Sequence, residues 1–142
     1  MSIIPLEEHP KLAARYGVAF GLINLVQDRL KWRVLIAAGL NPVPEVIMDI
    51  FDDMTLGQMI HAASSKLKDK KLIGYLHDLN NKRRVLAHGI VGEKAFTSKG
   101  KAPVFTGELS IKLKKHVYLL PVLLEDTIKL ARKISDKMEN FQ

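Results

Sequence analysis

The stretch from Pro10 to about Ala38 limits the fold more than any other part of the chain, because it contains no internal proline. Proline is favoured at the first position of a helix, where its missing N–H needs no partner. Glu7 and Glu8 come just before it, where the positive end of the helix dipole favours acidic groups. The pattern therefore predicts one long helix that begins at His9-Pro10 and ends near Ala38.

Three small residues of this helix, Ala13, Gly17 and Gly21, recur four residues apart and so share one face. Small side chains at that spacing allow a second helix to approach closely. A glycine inside a helix costs about 1 kcal/mol relative to alanine, which argues for a packing reason. We expect tight packing against another helix of the same chain, and the alternative is a seam between two copies.

Start and stop signals divide the middle of the chain into shorter helices. The segment Gly39-Leu-Asn-Pro-Val-Pro44 ends the first helix, and a short helix is expected from about Glu45 to Asp53. Thr55 and Gln58 have the spacing of a capping box, which predicts a helix from there to about residue 68. Asp69 is expected to cap the next helix, which runs to His88 and ends at Gly89 as a left-handed terminator.

The last third of the chain combines β-prone pieces with a helical pattern. Residues 90–106 change to short β-prone pieces around Ser98-Lys-Gly100, which is typical of a small hairpin or an ordered loop. From about Ser110 to Asn140 the pattern is helical, with a kink or restart at Pro121. The stripe expected to face the core consists of Leu113, Val117, Leu120, Leu124, Ala131, Ile134 and Met138. The sequence therefore predicts an all-α fold, an up-down bundle of four or five helices with a small β excursion near residues 90–106.

The composition fits one globular domain over residues 1–142. Of the 142 residues, 47% are apolar and 26% are charged, which is typical of globular proteins. Cysteine is absent, which excludes disulfides, thiolate metal ligands and a cysteine nucleophile. The sequence has no uncharged run long enough to span a bilayer, and acidic residues stand where a signal peptide would carry lysines. We therefore expect a cytoplasmic protein that does not enter a membrane.

The excess of basic over acidic residues favours a polyanionic partner. There are 22 basic and 15 acidic residues, a formal net charge of +7 at pH 7, and neutralising phosphates with such an excess releases counterions. The basic residues cluster in four segments, Lys66–Lys71, Lys82–Arg84, Lys94–Lys101 and Lys112–Lys115. The alternative interpretation is that these clusters are solvated helix faces and loops.

Several kinds of site are excluded by the absence of their motifs. The sequence contains no G-x-x-x-x-G-K-[ST] phosphate loop, no G-x-G-x-x-G, no G-x-S-x-G and no H-E-x-x-H. Glu45, Asp49, Asp52 and Asp53 form one acidic helix face. Because no second carboxylate cluster is available to complete a di-metal site, a solvated face is expected there rather than a metal centre.

The segment from Tyr75 to Gly89 carries the residues that indicate a chemistry. Arg83 continues an apolar stripe, which places its guanidinium in the interior or at an interface; the stripe consists of Leu72, Leu76, Leu79 and Leu86. A buried guanidinium is expensive unless it is paired, so the position indicates either snorkelling or a function. A second stripe, spaced by four, three and four residues, consists of His77, Asn81, Arg84 and His88.

An imidazole, guanidinium groups and an amide together suit phosphodiester chemistry. The imidazole moves protons, while arginine stabilises the charge that develops on the phosphate. His88 lies in the last helical turn, where the helix dipole favours a positive charge. The alternative is that His77 and His88 are ordinary surface or capping residues.

The run Arg83-Arg-Val-Leu-Ala-His88-Gly89 resembles the R-x4-H motif of HEPN domains, often written R-N-x-x-A-H-G at the end of a bundle helix. The opening Thr55-Leu-Gly-Gln-Met-Ile60 is also similar to members of this group. About fifteen residues carry the specific signal. Two positions depart from the pattern: Arg84 stands where the family has a small polar residue, and Ile90 stands where one toxin subgroup has a tyrosine.

HEPN domains are all-α bundles that usually dimerise, and many are metal-independent endoribonucleases of toxin–antitoxin, abortive-infection or RNA-processing systems. The resemblance therefore implies RNA as the substrate, a homodimer with a composite cleft, no metal or other cofactor, and an antitoxin protein as a further partner. It assigns His88 as the general base or acid and Arg83 as the phosphate-stabilising group. The supporting phosphate contacts would come from Arg84, Asn81 and His77.

Two lysines of the β excursion, Lys99 and Lys101, are expected to bind the RNA backbone. The alternative function is a non-catalytic HEPN-like module that binds nucleic acid, nucleotide or a protein partner. An unrelated helical interaction domain, in which the motif match is accidental, is the third interpretation.

Overall fold

The structure, a computed structural model, describes residues 9–37, 39, 54–96 and 104–139. The short helix predicted from Glu45 to Asp53, with its acidic face, lies outside these residues. Lys99 and Lys101 also lie outside them.

The first helix, α1, spans Pro10–Ala37, so the prediction of a long proline-led helix is confirmed. Its first turn is closed by the Ala13 amide, which donates to the His9 carbonyl at 2.9 Å. Gly39 follows the helix with a φ of +77°, a conformation that glycine adopts without strain. One side of α1 is buried at every third or fourth residue, namely Ala19, Ile23, Val26, Leu30 and Val34.

Within the described part of the chain, the α1 glycines do not have the packing role that we expected. Apart from α1 itself, no described atom lies within 4 Å of the position that a Cβ would take at Gly17 or Gly21. The same side of the helix exposes four large apolar residues, Val18, Leu25, Trp32 and Ile36. These four residues, together with Ala14, Gly17 and Gly21, are called the α1 face below. The described part of the chain leaves this face uncovered, and the seam between two copies stays a prediction.

Helices α2, Leu56–Ser64, and α3, Lys70–His88, begin at the predicted caps. The Thr55 side chain accepts from the Gln58 amide at 3.2 Å, and the Gln58 side chain accepts from the Thr55 amide at 2.9 Å. The Asp69 carboxylate accepts from the Leu72 amide at 3.1 Å. Each bond satisfies an amide that the first turn of a helix leaves without a backbone partner.

A three-stranded antiparallel sheet follows α3. Its strands are β1, Ile90–Phe96, β2, Val104–Leu113, and β3, His116–Leu119, in the order β1-β2-β3. The predicted β excursion is therefore present, but it continues to Leu119. The helix predicted from Ser110 is wrong over its first ten residues, because Ser110 pairs with Leu119 and Leu113 pairs with His116 across a two-residue turn. Val117, which was expected to face the core, is exposed.

The last helix, α4, spans Leu120–Glu139 and begins beside Pro121, where the fixed φ of proline suits a first turn. It runs parallel to α1. Near one end the Arg15 guanidinium binds the Glu125 carboxylate, and near the other the Arg33 guanidinium donates to the Met138 carbonyl. Leu120, Leu124, Ala131, Ile134 and Met138 are buried as predicted.

The core consists of two apolar clusters stacked along α1 and α4. One cluster fills the space between the helices around Leu30, Met59 and Leu76. The other packs the sheet against the helices around Leu86, Ile111 and Leu124. The chain is thus a helical bundle with a small antiparallel sheet at one end, which confirms the predicted fold class. Among the described residues, no helix is long and apolar enough to cross a membrane.

Candidate functional site

The predicted imidazole lies at the junction between α3 and the sheet. His88 is the last residue of α3 and is exposed. Gly89 separates it from Ile90, the first residue of β1. The helix is closed by the Gly89 amide, which donates to the Val85 carbonyl at 2.8 Å.

Gly89 does not end the helix in the left-handed conformation that we expected. Its φ is −72° and its ψ is 156°, which is extended backbone open to any residue. The glycine is needed for a different reason. A Cβ at this position would stand 2.5 Å from Ile111 Cγ1 and 2.6 Å from the Val85 carbonyl oxygen. The sheet therefore packs directly on the end of α3, one residue after His88.

Arg83 is half-buried on the side of α3 that follows the apolar stripe. Its Nε donates to Asn80 Oδ1 at 3.4 Å, a long bond within the same helix. A Cβ at Gly57 of α2 would lie 3.3 Å from Asn80 Nδ2, so Asn80 faces α2. Arg83 therefore lies on the flank of α3 that turns toward α2.

One chain does not bring Arg83 and His88 to the same point. Five residues of an α-helix correspond to a rotation of about 140°, so the two side chains leave α3 in different directions. The other predicted contacts do share the side of His88. His77, Asn81 and Arg84 are all exposed on that stripe.

A pocket of about 710 Å³ opens beside this stripe, between α3, the β2–β3 turn and the first turns of α4. Asn81 and Arg84 line it, whereas Arg83, His77 and His88 do not. Its apolar wall consists of Val85, Leu113, Leu119, Val122 and Leu123. Its polar residues from outside the stripe are Asp78, Lys82, Lys114, His116, Tyr118 and Asp126.

The β2–β3 hairpin contributes to this pocket in a way that the sequence did not predict. Lys114, His116 and Tyr118 were assigned to a helix, so nothing linked them to Arg84. The Tyr118 ring is partly exposed and lies 6.4 Å from the His116 ring, with their planes tilted by 42°. The one available signal was the basic segment Lys112–Lys115, now found at the hairpin turn.

The electrostatics of the pocket leave two cations available to a ligand. Lys82 Nζ lies 3.4 Å from Asp78 Oδ1, so this charge is already partly compensated. Neither Arg84 nor Lys114 forms an ion pair with another residue of the described part of the chain. Lys114 also has a φ of +57°, a left-handed conformation that is strained for lysine.

No cluster of three or more histidine, aspartate or glutamate side chains suited to a metal ion occurs among residues 9–37, 54–96 and 104–139. Comparison of the chain with protein families, with curated proteins and with solved structures finds no match.

Proposed function

We propose that this protein is an endoribonuclease of the HEPN type that needs no metal and acts as a homodimer. The observation that carries the proposal is the position of His88. Its exposed imidazole lies at the end of α3, on the same stripe as Arg84 and Asn81, which line a pocket with cationic groups. An RNA strand bound there would have its phosphates within reach of an imidazole that is open to solvent.

The reaction follows from the groups that this stripe provides. One imidazole takes the proton of a ribose 2′-hydroxyl, and the 2′-oxygen then attacks the adjacent phosphorus. The bond from phosphorus to the 5′-oxygen breaks, and a protonated imidazole gives its proton to that oxygen. The products are a 2′,3′-cyclic phosphate and a 5′-hydroxyl. Arg83 stabilises the negative charge that develops on the phosphoryl oxygens.

A second copy completes this site, which is why the proposal includes a homodimer. The two proton transfers need two imidazoles or one that changes role, and Arg83 and His88 of one chain point in different directions. Self-association has an apolar surface available on the α1 face, since Trp32 and Ile36 are 41% and 57% exposed. This face is opposite to the side of α1 that packs with α3, so it would hold two copies together without itself forming the site. Large apolar groups that are contiguous on a surface mark interaction sites more often than isolated ones do.

The direct test is cleavage of single-stranded RNA in the presence of EDTA. We expect the parent protein to cleave and His88→Ala to lose activity by a factor of roughly 100 or more, as for other lost proton-transfer groups. His61→Ala is the matched control, because His61 is an exposed histidine of α2 outside the site. Cleavage that depends on added Mg²⁺, or a His88→Ala protein as active as the parent, would contradict the proposal.

The position of Arg84 favours a second candidate, a non-catalytic module that binds nucleic acid or nucleotide. Arg84 replaces a small polar residue of the family motif and lines the pocket, so it adds a phosphate contact rather than a catalytic group. Arg84→Asn separates the two functions. An endoribonuclease keeps its cleavage activity in this variant and binds RNA less tightly, whereas a module loses binding and shows no cleavage in either form.

A further inference from the structure

A second basic cluster lies on α3 and α4, outside the site described above. Lys133 Nζ stands 4.4 Å from the centroid of the Tyr75 ring, and Lys137 Nζ stands 5.5 Å from it. A hydrogen bond with Lys133 and its positive charge, with smaller contributions from Lys137 and Lys71, lower the pKa of Tyr75. These groups therefore create a positive potential where α3 and α4 meet the solvent.

The cluster and the pocket both lie along the seam between the two helices, and this seam is called the α3–α4 groove below. On α3 the residues Lys71, Tyr75, Asp78 and Lys82 follow one another at spacings of four, three and four, so they share one face. On α4 the residues Asp126, Lys133 and Lys137 do the same, at spacings of seven and four. The helices are antiparallel, because Tyr75 contacts Lys133 while Val85 lines the pocket with Leu123.

This α3–α4 groove extends for about 16 Å from Lys71 to Lys82, at about 1.5 Å per residue. The pocket with Tyr118 lies at its far end, and the cluster around Tyr75 lies at its near end. One turn of α3 beyond the pocket residue Arg84 comes His88, about 6 Å further along the helix. The groove therefore leads from the Tyr75 cluster to the pocket, where Arg84 and Asn81 belong to the same stripe of α3 as the candidate imidazole.

The chemistry of the groove favours a single strand over a duplex. The exposed Lys71 and Lys133 suit a phosphate backbone, and the partly exposed Tyr118 ring suits an unpaired base. In a double helix the bases are stacked inside, so they could not enter a concave pocket. Asp126 and Asn81 in the wall supply hydrogen-bonding groups for the edge of such a base.

We propose that the α3–α4 groove binds single-stranded RNA, with a nucleobase stacked on Tyr118 in the pocket. The RNA backbone is held by Arg84 and Lys114 at the pocket and by Lys133 and Lys137 at the Tyr75 end. The inference deepens the proposed function, because the groove would deliver the strand to His88. Its test measures binding without cleavage, so the outcome does not depend on whether the protein has ribonuclease activity.

The first experiment measures the fluorescence anisotropy of a short fluorescein-labelled oligoadenylate as it binds the protein. The His88→Ala protein, which should not cleave RNA, is the parent in these binding experiments. Adding Tyr118→Ser removes the ring, and we expect binding to weaken by a factor of about ten or more, as for other base–aromatic stacks. Tyr118→Phe keeps the ring and should restore the affinity. His61→Ser is the matched control, because His61 is an exposed ring side chain of α2, away from the groove and from the α1 face.

An abasic oligonucleotide of the same length separates the pocket from the charges. We expect it to bind about as weakly to the Tyr118→Ser protein as to its parent, because it has no base to stack. A paired RNA duplex should likewise be insensitive to Tyr118→Ser. Equal affinity of the parent for abasic and complete strands would overturn the nucleobase pocket.

The second experiment tests the Tyr75 end of the groove through the salt dependence of binding. For a single strand, the slope of log affinity against log salt falls by about 0.7 for each phosphate contact that is lost. The double variant Lys133→Gln/Lys137→Gln should flatten the slope, while Lys66→Gln, an exposed lysine outside the groove, should leave it unchanged. An unchanged slope in the double variant would show that the strand does not follow the groove.

The two proposals fail in different ways. If the unmodified protein never cleaves RNA but its binding depends on Tyr118, Lys133 and Lys137, the groove proposal is correct and the ribonuclease proposal is wrong. If RNA is cleaved and neither set of variants changes binding, the ribonuclease is correct and the strand takes another path.

Discussion

The residue after the candidate imidazole is constrained by contact rather than by backbone conformation. A Cβ at Gly89 would collide with Ile111 and with the Val85 carbonyl, so Gly89→Ala must displace the sheet or open the last turn of α3. We expect it to lower the free energy of unfolding by about 1–3 kcal/mol, as overpacking does elsewhere. Gly74→Ala is the control, since its Cβ would meet nothing within 4 Å and should add up to about 1 kcal/mol. Urea unfolding measures both, and equal stability of the two variants would contradict the contact.

A second residue-scale prediction concerns alkaline pH. Burial raises the pKa of Tyr16 to about 12, from an ordinary value of 10.0. Below pH 10 the phenol is neutral in both folded and unfolded chains, so its contribution to stability is fully present. Between pH 10 and 12 the unfolded chain ionises first, and this contribution is lost as the pH rises.

The free energy of unfolding of Tyr16→Phe should therefore fall less steeply with rising pH than that of the parent between pH 10 and 12. Phenylalanine keeps the stacked contact with Phe20, whose ring centroid lies 6.1 Å away. Because Tyr75 and Tyr118 are present in both proteins, the difference isolates Tyr16. Chemical unfolding curves at a series of pH values give the comparison, and identical pH profiles would rule out a buried Tyr16 hydroxyl.

At the scale of elements, the β2–β3 hairpin holds a lysine in a conformation better suited to glycine. Lys114 has a φ of +57°, whereas the described backbone shows no positive φ at Lys115. We expect Lys114→Gly to stabilise the protein by up to about 1 kcal/mol and to weaken RNA binding, and Lys115→Gly to destabilise it. Thermal unfolding of the two variants tests the pair. A loss of stability in both would mean that the turn carries no strain.

The elements that sequence analysis located are those with local signals. The starts of α1, α2 and α3 follow from Pro10, from the Thr55–Gln58 capping box and from Asp69, which act on amides within one turn. The hairpin was missed because Leu113, Val117, Leu120 and Leu124 also fit a helical period, and because the turn Lys114-Lys115 contains neither glycine nor asparagine. What decides the conformation of this segment is pairing with β1, a tertiary contact that no short sequence window contains.

The residues of the candidate site likewise differ in whether a local sequence signal predicts them. The stripe of His77, Asn81, Arg84 and His88 followed from the helical period alone. The half-buried position of Arg83 agrees with its place on the apolar stripe. His116 and Tyr118 could not be predicted, because their proximity to Arg84 depends on how the sheet packs on α3.

At the scale of the whole molecule, the α1 face suits a second copy of the chain. Its residues are small near the start of the helix, at Ala14 and Gly17, and large near the end, at Trp32 and Ile36. An antiparallel copy related by a two-fold axis near Leu25 would set the large end of one helix against the small end of the other. A two-fold interface uses the same patch on both copies, and this size gradient makes the patch complementary to itself.

We expect the parent to be a dimer, and the double variant Leu25→Glu/Trp32→Glu should therefore be a folded monomer. Both side chains are about 40% exposed, so the substitutions should leave the helical circular dichroism unchanged. Val117→Glu, which adds charge to an exposed residue of the sheet, should remain dimeric. Light scattering at micromolar concentration distinguishes these outcomes, and a monomeric parent would refute the homodimer.

The short connection between α3 and β1 has a consequence for how a site of this kind can change. Only Gly89 separates His88 from β1, and β1 is paired with β2, which is paired with the strand that carries Tyr118. In the proposed mechanism, selection of a base and proton transfer are therefore joined through one hydrogen-bonded sheet. An insertion in β2 that enlarged the pocket would also shift the strand against which His88 is anchored. Variants with new RNA preferences should then arise by exchange of side chains at constant chain length, while changes of length in the sheet should cost activity on every substrate.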